Sequence, residues 1–136
     1  DYQGNLYYTQ VGNYFPVHMI YPNLSGDFAV YTSGFQPEAD DIMDPSWFSN
    51  ALDIALDNNK NIYIVDNVHS DVTIFNSQGD FFKKAGYGQD SLKLMMEPCA
   101  VAVDQRGVLY VCDRGNGSIY RYQLSNSLDE DITPED

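Results

Sequence analysis

Cations, cysteines and long apolar runs are all scarce in this chain of 136 residues. Seven Lys and Arg stand against twenty Asp and Glu, for a formal net charge of −13, and none of the seven lies within residues 1–59. This balance argues against nucleic acid as a partner, because duplex binding needs cationic contacts to phosphate. No apolar run approaches the ~20 residues of a membrane-spanning helix, so no transmembrane segment is predicted.

Two histidines and two cysteines leave little material for a metal centre or for acid–base chemistry. His69 has no acid or nucleophile partner marked in the sequence, and catalysis would need one. We therefore predict no cofactor, no metal site and no enzymatic activity. Helical periodicity is also missing, and only residues 37–48 and 91–97 could form a short helical turn.

An internal repeat is the clearest pattern that the chain does contain. Residues 57–75 (DNNKNIYIVDNVHSDVTIF) align without a gap on residues 104–122 (DQRGVLYVCDRGNGSIYRY) at an offset of 47. A fainter copy begins the chain, where DYQGNLYYTQ aligns with DNNKNIYIVD at an offset of 56.

Each copy contains the same succession of short strands rich in β-branched and aromatic residues, separated by Gly, Asn, Asp and Ser. The predicted strands are 52–56 and 99–103, then 61–66 and 108–113, then 71–75 and 118–122, with a fourth at 80–86. The first two strands of a copy are apolar on both faces, which is typical of a sheet covered on both sides. Four-stranded modules of this kind, with small residues on an inner strand, describe the blades of a β-propeller.

The segments IALDNNKNIYIVDNVHSDVTIFNSQGDF and PCAVAVDQRGVLYVCDRGNGSIYRY resemble NHL repeats, the family that builds β-propellers. The resemblance covers residues 51–123 well and 1–35 weakly. One departure is that Asp71 and Ser118 stand where the family usually carries Arg before the third strand. The resemblance implies a binding platform for proteins, or for RNA in some members, while the related peptide-amidating lyases use a metal and several His.

The expected fold is all-β, a partial or oligomer-completed β-propeller of about three NHL-like blades. The expected division is a degenerate first blade with an inter-blade loop (1–50), a complete blade (51–97), a third, incomplete blade (98–123) and an acidic tail (124–136). Closed propellers typically have about four to eight blades. Three alternatives stay open: a fragment of a larger propeller, a ring completed by further chains, and an incomplete propeller docked on a larger assembly.

Cys99 and Cys112 are a candidate disulfide. If Val103 faces Val108 across the DQRG link, the same register places the two cysteines directly opposite each other on neighbouring strands. A disulfide would need a modest approach of the two Cβ atoms and would imply an oxidising compartment. The alternative is two buried free thiols that act as small apolar residues.

Four aspartates, Asp57, Asp66, Asp104 and Asp113, are expected to shape turns by accepting backbone N–H bonds. The loops after the second strands, with one aromatic anchor, are the predicted binding elements: Asn67, His69, Arg114, Asn116 and Trp47. Two asparagines, Asn23 and Asn116, also begin triplets that fit the N-glycosylation pattern.

The predicted function is a non-catalytic protein-binding or scaffold module, an accessory subunit or a fragment of a larger assembly, which docks through blade edges and loops. Its partners would be other proteins or further copies of the chain, and its setting extracytoplasmic. One rival is a fragment of a propeller hydrolase or lyase, marked by a metal bound near the central axis with His69 or Asp113 among its ligands. Another is a sugar-binding propeller completed by oligomerisation.

Overall fold

A computed structural model describes residues 1–9, 17–22, 28–35, 50–86 and 95–123, with only the backbone described at 21–22 and 28–35. Within these ranges every regular element is a β-strand and no helix occurs, so the prediction of an all-β fold is confirmed. It follows that this part of the chain holds no apolar helix of membrane-spanning length. The predicted short turn at 37–48, residues 91–94 of the one at 91–97 and the acidic tail at 124–136 lie outside the described residues, and residues 95–97 form no helical turn.

Ten strands occur in the described ranges, and from residue 51 onwards their limits agree with the predicted strands to within about two residues. In chain order they are β1 (Leu6–Thr9), β2 (Val17–Pro22), β3 (Phe28–Phe35), β4 (Ala51–Leu56), β5 (Ile62–Asp66), β6 (Asp71–Phe75), β7 (Phe81–Ala85), β8 (Pro98–Val103), β9 (Val108–Asp113) and β10 (Ser118–Gln123).

The strands form three antiparallel sheets, each built from strands that follow one another along the chain. The first sheet contains β1, β2 and β3, the central sheet contains β4 to β7, and the third sheet contains β8, β9 and β10. None of the three closes on itself in the described part of the chain. By alignment with the central sheet, the first sheet lacks an inner strand and the third lacks a fourth strand among the described residues.

The third sheet repeats the pairing of the central sheet with each residue number raised by 47. Ile54 pairs with Ile64, and 47 residues later Val101 pairs with Val111. Even the irregularities repeat, because the register of β4 shifts at Leu52 and that of β8 shifts at Cys99. The sequence repeat is therefore also a repeat of backbone hydrogen bonding.

The central sheet is covered on both faces, as its apolar strands predict, and every residue of β5 and β6 is buried. Alternate side chains point to opposite faces of a strand. We call the face of Tyr63 and Val65 the forward face and the face of Ile62 and Ile64 the rear face, and we carry these names to the equivalent positions of the other sheets.

Each neighbouring pair of sheets packs with a forward face against a rear face. On one side, the forward face of the central sheet meets the rear face of the third sheet in one apolar cluster, whose buried members include Tyr63, Val65, Val72, Ile74, Leu109, Val111 and Tyr122. On the other side, Tyr7 and Val17 of the first sheet meet the rear face of the central sheet, which includes Ile62, Ile64 and Phe75. Burial of these two clusters is the main apolar contribution to the fold.

Candidate functional site

Three hairpin turns are each held by the side chain of an aspartate. Asp57 directly follows β4, Asp104 directly follows β8, and Asp1 is at the equivalent position of the first sequence copy. The Oδ1 oxygen accepts two backbone N–H bonds in each turn: from Asn59 and Asn61 to Asp57, from Arg106 and Val108 to Asp104, and from Gln3 and Asn5 to Asp1, all at 2.8–3.0 Å. Bonding inside the turn leaves Oδ1 little capacity for a ligand, so these carboxylates hold backbone geometry.

The fourth residue of each of these turns has a left-handed backbone. Its φ is 84° at Gly4, 63° at Lys60 and 81° at Gly107, a region in which side chains other than Gly are strained. In each turn the backbone N–H of this fourth residue donates to the carbonyl of the aspartate. This bond, made by a residue that is itself left-handed and usually Gly, is typical of a three-residue hairpin loop with a bulge. Lys60 is the exception, and its ammonium group reaches Gln3 and Asp1 in the neighbouring turn.

Asp113 ends β9 and ties together two segments at one end of the third sheet. Its carboxylate accepts backbone N–H bonds from Met96 (2.6 Å), Glu97 (2.9 Å) and Gly115 (2.9 Å). Burial alone would raise the pKa of Asp113, but these backbone donors outweigh it and hold the pKa below its ordinary value. Both carboxylate oxygens are engaged, so the geometry does not favour Asp113 as a metal ligand.

Asp66 ends β5 at the position equivalent to Asp113, and its carboxylate is also hydrogen-bonded, here to residues of the loop that follows it. Its Oδ1 accepts the backbone N–H of Val68 at 2.9 Å, and its Oδ2 lies 2.7 Å from Nδ1 of His69. The neighbouring hydroxyl of Ser70 donates to the carbonyl of Met96 at 2.9 Å. A His–Asp pair is thus present, but the adjacent hydroxyl is directed to the backbone and not to the histidine.

The loops after β5 and β9 each form one side-chain pair at equivalent positions, but the pair is two amides in one repeat and an ion pair in the next. Asn50 donates to Asn67 at 2.6 Å, and 47 residues later Arg114 donates through Nε to Glu97 at 2.9 Å. Both pairs join the loop to the segment that precedes the first strand of the sheet. Arg114, predicted as a binding residue, is exposed and paired in this way.

Asp71, which stands where an NHL repeat usually carries Arg, is fully buried and forms an ion pair with Lys84 of β7 at 2.9 Å. Burial raises the pKa of Asp71 above its ordinary value, against the opposing effect of Lys84. Its second oxygen, Oδ1, has no hydrogen-bond partner among the described residues. The pair is therefore an ionic contact between β6 and β7 within the central sheet.

The structure corrects the expected register of the two cysteines. Ala100, and not Cys99, is the partner of Cys112, and Val103 pairs with Leu109 instead of Val108. The bulged turn after Asp104 adds one residue to the pairing, and the irregularity at Cys99 removes it again. Both thiols are free, and Sγ of Cys99 donates to the carbonyl of Cys112 at 3.5 Å. Cys112 is exposed and Cys99 is partly exposed, so the alternative of two buried thiols is corrected as well.

The forward face of the third sheet is left uncovered by the described part of the chain. Ile119 is 69% exposed, whereas its equivalent in the central sheet, Val72, is 0% exposed. Ala102 and Cys112 are exposed as well, and Tyr110 beside them is partly exposed. The same face is thus buried in the central sheet and open in the third sheet.

The remaining predicted site residues are accounted for as follows. Trp47 and Asn23 lie outside the described residues. Asn116 is exposed, and its side-chain amide donates to the hydroxyl of Tyr120 at 2.5 Å. No group of three or more His, Cys, Asp or Glu side chains in the described ranges is arranged to hold a metal ion.

Sequence reasoning missed Asp53, which connects two sheets. The signal was present, because an acid in the otherwise apolar segment ALDIAL needs a partner once the strand is covered. Its Oδ2 accepts the backbone N–H of Val101 at 2.9 Å, from β4 of the central sheet to β8 of the third. At the equivalent position of the third sheet stands Ala100, which cannot make such a bond.

No protein-family model matches this chain, and no curated protein matches it significantly.

Proposed function

We propose that the chain is a segment of an NHL-like β-propeller whose three sheets are successive blades, and that it acts as a non-catalytic docking module for protein. The carrying observation is the forward face of the third sheet. It repeats, position for position, the face through which the central sheet binds its neighbour, and it is left open at Ile119, Cys112 and Ala102.

Two further observations support a module that binds rather than catalyses. The carboxylates that end β5 and β9 are engaged by backbone N–H groups or by His69. The loops that carry the predicted binding residues are held rigidly by these bonds, and a rigid frame with exposed loops suits recognition. An extracytoplasmic setting stays a prediction of the sequence, without the support of a disulfide.

A photo-crosslinking amino acid at position 119 tests the proposal, with the same amino acid at position 68 as the matched control. Both Ile119 and Val68 are large exposed apolar residues, but Val68 lies in the loop after β5 and not on the open face. We expect a protein adduct at position 119 and none at position 68, with the attached chain identified by mass spectrometry. Absence of an adduct at position 119 would refute the docking role, as would equal adducts at both positions.

A further inference from the structure

The loops after β5 and β9 contain a residue with a left-handed backbone at the same place in both repeats. It is Ser70, with a φ of 58°, in the central sheet and Gly117, with a φ of 67°, in the third sheet. This backbone region strains most residues other than Gly, so the third repeat carries the better suited residue there. Because Asn116 precedes Gly117, the loop contains an Asn-Gly pair, and the sequence contains no other.

The reactivity of an Asn-Gly pair follows from the missing Cβ. The backbone nitrogen of the second residue can attack the carboxamide carbon of the Asn and close a five-membered ring, and a side chain on that second residue hinders the approach. Gly117 has no side chain, and nothing in the described part of the chain lies within 4 Å of the place where its Cβ would be. Asn116 and Gly117 are both exposed, so water reaches the pair.

We propose that Asn116 is a site of spontaneous deamidation in the folded protein, which places a carboxylate in the loop after β9. The backbone nitrogen of Gly117 forms a bond to Cγ of Asn116 and loses its proton, while the bond from Cγ to Nδ2 breaks and Nδ2 leaves as ammonia. Water then opens the succinimide ring at either of its carbonyl groups and gives aspartate or isoaspartate. The reaction consumes one water molecule and needs no oxidant or reductant.

Asn76, in the turn between β6 and β7, shows what prevents the same reaction. Its Oδ1 accepts two backbone N–H bonds at 2.9 Å each, and its Nδ2 donates to Asp80 at 3.0 Å. Three bonds hold this carboxamide, and the residue that follows it is a serine with a Cβ. The Asn116 carboxamide also makes a bond, from Nδ2 to the hydroxyl of Tyr120 at 2.5 Å, but the residue that follows it is Gly.

The product would change the loop in charge and in length. The pKa of Asp113 stays below its ordinary value against the effect of burial, and a backbone hydrogen bond from Asn116 contributes to this. The new carboxylate therefore arises close to one that the fold keeps ionised, and like charges repel. Isoaspartate also adds one methylene to the backbone between Asp113 and β10. Both changes act on the loop that carries Arg114, one of the predicted binding residues.

Peptide mapping by mass spectrometry tests the proposal on the full, folded chain kept in warm, mildly alkaline buffer. Asn116 and Asn76 are read in the same sample over time, and an isoaspartate-specific methyltransferase detects the second product. We expect Asn116 to convert at least about tenfold faster than Asn76, which corresponds to the free energy of about one hydrogen bond. Equal conversion at the two sites, or faster conversion at Asn76, would overturn the proposal.

Two variants identify the attacking group. Gly117→Ala adds a Cβ beside the backbone nitrogen, in a place with room for it, and should slow conversion at Asn116 at least several-fold. Asn116→Gln should show no conversion at position 116 and leave Asn76 as in the wild type. Unchanged circular dichroism would show that both variants are folded. Gly117→Ala converting at the wild-type rate would contradict the attack by the Gly117 nitrogen.

The same time course in urea separates the folded loop from the unfolded chain. Conversion at Asn116 in both states supports the proposal, whereas conversion confined to the unfolded chain would show that the fold protects the pair and would overturn it. The reaction does not depend on the docking role, which the adduct at position 119 tests by itself.

Discussion

Asp53 on β4 accepts a 2.9 Å hydrogen bond from the backbone N–H of Val101 on β8, and so joins the central sheet to the third sheet. The two residues are 48 positions apart in sequence. β8 is the edge strand of its sheet, so its outward N–H groups need an acceptor from outside the sheet or from water. The carboxylate supplies that acceptor where apolar packing alone could not.

Asp53→Ala is expected to destabilise the protein by about 1–3 kcal/mol, because it leaves a largely buried N–H at Val101 without its acceptor. Asp53→Asn is the matched control, since its amide oxygen can accept the same bond, and it should retain most of the stability. Urea unfolding of the three proteins measures the difference. Equal midpoints for Asp53→Ala and the wild type would contradict the structural role of this bond.

Gly107→Ala should cost about 1–2 kcal/mol through the backbone alone. Gly107 has a φ of 81°, and an added Cβ would meet nothing within 4 Å. Gly86→Ala should cost more, since Gly86 combines a φ of 83° with an overlap between the new Cβ and the methyl group of buried Met95. Thermal and urea unfolding would rank the two variants, and a larger loss for Gly107→Ala would contradict the prediction.

Asp113→Asn should lower stability at neutral pH by about 1.5–3 kcal/mol, because it removes a charged acceptor and sets an amide NH₂ group against backbone N–H donors. The pKa of Asp113 is held below its ordinary value of 3.8 in the folded protein. The stabilisation is therefore present above pH 3.8 and is lost as the pH falls through the lower, folded pKa.

The difference in unfolding free energy between the wild type and Asp113→Asn should accordingly shrink in acid. Urea titrations at a series of pH values would measure it. A difference that grew as the pH fell would show that the carboxylate is not stabilised by its backbone donors.

The thiol of Cys112 should react with an alkylating reagent in the native protein before that of Cys99, because Cys112 is exposed and Cys99 is only partly exposed. Intact-mass analysis after short labelling should show one fast and one slow site. In the Cys112→Ser variant only the slow site should remain. A chain that takes up no label until a reductant is added would instead contain the disulfide that the sequence suggested.

Local pattern alone predicted most of the strands and their order. The alternation of apolar residues, the β-branched content and the Asp, Asn and Gly residues at the turns act over a few neighbouring positions, so they can be read from the chain directly. The repeat itself was equally visible, since the alignment of 57–75 with 104–122 has no gap. A three-residue loop could have been predicted as well, because Asp104 is followed at the third position by Gly107.

Only the tertiary structure shows which residues face each other across strands and between sheets. A shift of one residue moves a side chain to the opposite face of its sheet, and the paired irregularities at the Asp104 turn and at Cys99 decided that Cys112 lies opposite Ala100. The same holds between sheets, where Asp53 and Val101 meet only because two modules stack.

The sequence by itself determined the modules: short antiparallel strands, repeated at an offset of 47, with turns fixed by their own aspartates. The tertiary structure decided which faces of these modules are buried. It covers the forward face of the central sheet at Val72 and leaves the forward face of the third sheet open at Ile119. The physical reason is that strand formation depends on neighbouring residues, whereas burial depends on whether another sheet is present to receive the face.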